Sequence, residues 1–151
     1  ISRFNYDFRN SGLTPDHPDL MEDFATWLKN NPNMQAVWIL NIYAGMPRSD
    51  VLKLSQDTLL ARVSEILETF YCVGKVEDIE TSMAPVFSDL GAPAQITARK
   101  NQAGVQYPRL ISATPEITGM IKASCPVDRE MYDRFAGRSP VHAPLRAQPR
   151  G

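Results

Sequence analysis

The side chains able to do chemistry in this 151-residue chain are few and scattered. His17 and His142 are natural general bases near neutral pH, but each stands in a proline-containing loop with no evident partner. Cys72 and Cys125 are far apart, with no Cys-x-x-Cys pair and no Cys/His cluster, so they read as reduced, largely buried thiols with no metal to hold. Arg99-Lys100-Asn101 puts two adjacent cations in an aperiodic stretch, where a solvated loop pair is the default. Ser2, Arg3 and Arg9 are ordinary surface residues on their own. Glu77 stands where a helix begins, so its carboxylate meets the positive end of the dipole. Trp27, Trp38, Tyr132 and Phe135 fall on helical faces and read as packing residues. No Gly-x-x-x-x-Gly-Lys-Ser/Thr loop occurs anywhere.

Composition narrows the classes. Hydrophobic residues make up 43% and charged residues 22%, the balance of a globular domain rather than of a disordered chain. The length supports one domain with one core. A formal net charge of −1 gives no bulk attraction for nucleic acid or an anionic membrane, so any anion site must be local. No apolar run reaches the roughly 18 residues of a membrane helix, and no membrane contact by this segment is expected.

The elements that must carry these residues are mostly helical. Ile1, Phe4 and Phe8 share one helical face before Ser11-Gly12 and Thr14-Pro15 break it. Leu20, Phe24, Trp27 and Leu28 line a helix that starts at Asp19 and stops at Asn30-Asn31-Pro32. A second run carries Met34, Val37, Trp38 and Leu40–Ile42 and closes at Gly45 and Pro47. A third helix is expected from a cap at Ser49 or Asp50 to about Thr69, with Leu52, Leu59, Leu60, Val63, Ile66 and Leu67 as its stripe. Phe70–Gly74 is aromatic, β-rich and apolar throughout, the pattern of a buried strand. Glu77–Leu90 is helical again and ends at Gly91. Ala92–Tyr107 shows no periodicity. Thr114-Pro115 caps and opens a helix that ends near Ala123, and Pro126–Ala136 forms the last one. The remainder, 137–151, has the composition of a disordered tail.

Four segments taken in order resemble the C-terminal half of a sulfotransferase that uses 3′-phosphoadenosine 5′-phosphosulfate. They are Ile1–Arg9, Asn33–Gly45, Ala61–Leu90 and Ala98–Phe135, and the likeness is to the carbohydrate type, the heparan sulfate or uronyl 2-O-sulfotransferase group. Ile1-Ser2-Arg3-Phe4-Asn5-Tyr6 looks like the end of the motif that holds the donor's 3′-phosphate. Asn33-Met34-Gln35 and Tyr43-Ala44-Gly45 match the helix that follows. Phe70-Tyr71-Cys72-Val73-Gly74-Lys75-Val76-Glu77 is the clearest match, although Val76 replaces the family's usual threonine. Arg99-Lys100-Asn101 and the run Asp128–Ala136 match the basic loop and the terminal helix.

The resemblance implies an α/β fold of the P-loop sulfotransferase type, of which residues 1–136 would be the helix-rich C-terminal portion with few strands, the N-terminal half missing. It implies Ser2, Arg99 and Lys100 as donor-binding residues and a carbohydrate or other hydroxyl acceptor, with no metal and no nucleic acid. The catalytic base would lie before Ile1. The compartment would be the Golgi lumen in a eukaryote or the cytoplasm in a bacterium. Ile1, which is not Met and sits within an element, fits the same expectation of a truncated chain. The competing readings are a non-catalytic helical interaction module and part of another phosphoryl-transfer enzyme of P-loop fold.

Overall fold

The computed structural model of the chain describes residues 2–8, 11–92 and 110–137. Among these residues the secondary structure is helical. The helices are α1 (Ser2–Asp7), α2 (Leu20–Asn30), α3 (Met34–Tyr43), α4 (Arg48–Val51), α5 (Gln56–Glu68), α6 (Ile79–Asp89), α7 (Pro115–Ser124) and α8 (Pro126–Phe135), and a 3₁₀ turn at Val76–Asp78 leads into α6.

Two hydrophobic clusters organise them. In the first, Ala36, Val37 and Leu40 of α3 meet Val51 of α4, Leu59, Val63 and Leu67 of α5, and Val127 and Phe135 of α8. In the second, Phe4, Leu20, Phe24 and Leu28 of α1 and α2 meet Ile117 of α7 together with Leu110 and Ile111. Aromatic rings fill the second cluster: Phe4 stacks on Phe8 at 4.4 Å and meets Phe24 and Trp27 edge-on at 5.1 and 5.7 Å. The i, i+4 spacing of Phe4 and Phe8 in the sequence reflects this stacking. Only Cys125 separates α7 from α8, so these two helices tie the clusters together.

Several helix boundaries follow from capping. Thr114 Oγ1 accepts from the Ile117 N–H at 3.2 Å and Pro115 opens α7, as the sequence predicts. The helix predicted from Ser49 or Asp50 to Thr69 is instead two helices. Its true cap is Ser55, whose Oγ accepts from the Thr58 N–H at 3.2 Å and starts α5 afresh. Leu52 lies in the break and is exposed, so it is not part of the α5 stripe.

The expected strand at Phe70–Gly74 is corrected. It is a non-helical connection, and among the described residues its backbone meets a distant segment where the Gly137 N–H donates to the Val73 carbonyl at 2.9 Å. Its β-type side chains fit a half-buried surface, and helices supply that surface here. Phe70 meets Tyr43 edge-on at 4.9 Å, Phe70 and Val73 pack on the first cluster, and Tyr71 donates to Asp89. The helix-rich character expected of the chain is therefore observed, and no strand occurs among the described residues.

Candidate functional site

The N-terminus of α3 and the N-terminus of α8 meet head to head. Neither helix is capped from within its own first turn. Asn33, just before α3, adopts left-handed backbone geometry at φ 47, which asparagine tolerates better than most residues. Its side chain is buried and its Oδ1 accepts from the Val127 N–H at 2.9 Å and the Asp128 N–H at 3.4 Å. Asp128 returns the bond: its two carboxylate oxygens accept from the Gln35 N–H at 3.0 Å and the Ala36 N–H at 2.8 Å. Four backbone donors that a helix start leaves open are thus satisfied by the opposing helix.

Electrostatics at this junction follow from burial. Loss of solvent pushes the Asp128 carboxyl above the ordinary aspartate value, and the Ala36 and Gln35 N–H groups oppose that shift without cancelling it. Burial also raises the Cys125 thiol, against the pull of the Asn33 and Met34 backbone N–H groups, and the Asp128 charge adds to the rise. Cys125 is accordingly a poor thiolate and a poor nucleophile.

A second contact lies at the other end of α8. Tyr132 donates from its hydroxyl to Glu77 Oε2 at 3.3 Å, and the Lys75 ammonium stands 5.8 Å from the centre of the same ring. Partial desolvation, then the Glu77 charge, holds the Tyr132 phenol above its usual range. Tyr132 is half-exposed here, so it is not the buried packing residue its helical spacing suggests, whereas Phe135 is buried as predicted. Gly137 follows α8 at φ 82, and a side chain there would run into Lys75 Cε at 3.0 Å. Gly74 allows the connection to lie against α6, where a Cβ would come within 3.2 Å of Ser82 Cβ. Ser82 Oγ accepts from the Lys75 N–H at 3.1 Å.

These contacts join stretches far apart in the chain: Asn33–Gln35 with Asp128, Tyr43 with Phe70, Glu77 with Tyr132, and Val73 with Gly137. Of the residues predicted to hold the donor, Ser2 opens α1, while Arg99 and Lys100 lie outside the described residues, as does His142. His17 Nδ1 accepts from the Asp19 N–H at 3.3 Å, a local turn contact. Arg3 pairs with Asp7 at 2.9 Å and lies over Tyr6. Trp27 is partly buried, and its indole N–H donates to Asp7. Trp38 departs from the core role expected of it: it is 56% exposed, beside Ile42 and Tyr43, on the outer side of α3. No group of three or more His, Cys, Asp or Glu able to hold a metal occurs among the described residues. None of their helices is long and apolar enough to cross a membrane.

What sequence reasoning missed is the Asn33–Asp128 pair. The signal was present, since Cys125-Pro126-Val127-Asp128 puts an acidic residue in the first turn after an N1 proline. Its partner 95 residues away was not readable from local pattern. Comparison with protein-family models, curated proteins and solved structures gives no match.

Proposed function

We propose that the chain is the C-terminal part of a carbohydrate-type sulfotransferase of P-loop fold. The parent enzyme would transfer a sulfuryl group from 3′-phosphoadenosine 5′-phosphosulfate to a hydroxyl, with a carbohydrate as acceptor. The observation that supports this reading is that segments resembling the family's motifs lie together: Asn33 and Gln35 contact Asp128, and Glu77 contacts Tyr132, as one packed unit would require. The chemistry is compatible with that assignment. Sulfuryl transfer, like phosphoryl transfer, asks the protein mainly for positioning and charge stabilisation. Ser2 would donate a hydroxyl hydrogen bond to the donor's 3′-phosphate, and Arg99 and Lys100 would supply positive charge. The base that takes the acceptor proton would come from elsewhere in the parent, so the 151-residue chain alone would be inert.

Calorimetry with adenosine 3′,5′-bisphosphate tests the donor assignment. The expected result is saturable binding that weakens at least tenfold in Ser2→Ala and in Arg99→Ala. Affinity unchanged in both variants would remove those residues from the site. Sulfation of a glycan panel by the chain at the rate of an intact sulfotransferase would overturn the fragment reading.

One observation favours a second reading, a non-catalytic helical interaction module. Trp38, Ile42 and Tyr43 present exposed apolar surface on α3, and no Asp, Glu, Lys or Arg occurs from Asn30 to Pro47. Depletion of charge with exposed aromatic residues is the composition of an interface centre. Saturable nucleotide binding that is lost in Ser2→Ala and Arg99→Ala would favour the first reading over this one, whereas a truncated donor site could fail to bind under either.

A further inference from the structure

We draw no further inference here: the strongest candidate, the uncharged outer face of α3 where Trp38 and Ile42 stand exposed, is an apolar surface, and nothing in the structure shows what covers it.

Discussion

Asn33 and Asp128 cap each other's helices. Asn33 Oδ1 accepts from the first turn of α8, and the Asp128 carboxylate accepts from the first turn of α3. The exchange fixes two helix ends against one another and orients both around Ala36, Val37 and Val127, which are buried between them. Removing Asn33's side chain leaves the buried Val127 donor unpaired, and removing Asp128's leaves the part-buried Ala36 donor unpaired. Asn33→Ala and Asp128→Ala should each lower the unfolding free energy by about 1–3 kcal/mol. Because both act on one junction, the double variant should lose less than the sum of the two. Urea denaturation of the four proteins measures this, and strict additivity would show that the two caps act separately.

Backbone geometry separates two causes at Asn33. Asn33→Gly removes the same acceptor as Asn33→Ala but relaxes the left-handed conformation. The glycine variant should therefore be more stable than the alanine variant, by roughly 1 kcal/mol. Equal stability would mean that φ 47 carries no strain there.

The Asp128 titration has a definite sign. Burial raises its carboxyl in the folded protein, so the folded state binds that proton more tightly than the unfolded state does. Its contribution to stability is full below the ordinary aspartate value and declines as pH rises through the raised range. Asp128→Asn carries no such proton. The stability difference, wild type minus Asp128→Asn, should accordingly fall as pH is raised from about 3 to 6. Unfolding midpoints across that range check the slope, and a difference that grows with pH would reverse the assignment.

Two serines of α5, one at its cap and one along its length, offer a contrast. Ser55 Oγ caps the helix, while Ser64 Oγ is buried with no hydrogen-bond partner. Ser55→Ala should cost about 1 kcal/mol. Ser64→Ala should be neutral or stabilising by up to about 1 kcal/mol, because it removes a buried polar atom that gains nothing from burial. Thermal melts of both variants decide the matter.

Two glycines make a similar pair. Gly119 lies inside α7 with open space around its missing side chain, and Gly137 turns at φ 82 against Lys75. Gly119→Ala should stabilise by about 0.5–1 kcal/mol. Gly137→Ala should destabilise by about 1–2 kcal/mol through the strained turn and the lost fit to Lys75. A common sign for the two substitutions would refute the distinction.

The helices were legible where pattern and punctuation agreed. Thr114-Pro115, the Asn30-Asn31-Pro32 stop and the face of Leu20, Phe24 and Leu28 all stand in the structure where local chemistry puts them. Legibility failed where a local pattern had two solutions. Leu52 continued the leucine spacing of α5 on paper, but the Ser55 cap restarts the helix after it. Phe70–Gly74 carried a strand's composition, yet backbone pairing depends on neighbours, and helices took the side chains instead. Trp38 obeyed helical periodicity on a helix that is apolar nearly all round, so spacing could not say which face would be covered. The contacts at the α3–α8 junction and beside α6 involve partners far apart in sequence, between Glu77 and Tyr132 as between Asn33 and Asp128, and no single window contains them.

The bare side of α3 also governs how molecules of this chain behave toward one another. With a formal charge of −1 and an isoelectric point near 6.1, they carry almost no mutual repulsion. Hydration alone then keeps one exposed tryptophan patch from the next. Colloidal stability should be poorest in buffers close to pH 6 and should improve as the pH moves away in either direction. Sulfate or phosphate should hasten clouding rather than prevent it, because excluded salts strengthen apolar adhesion.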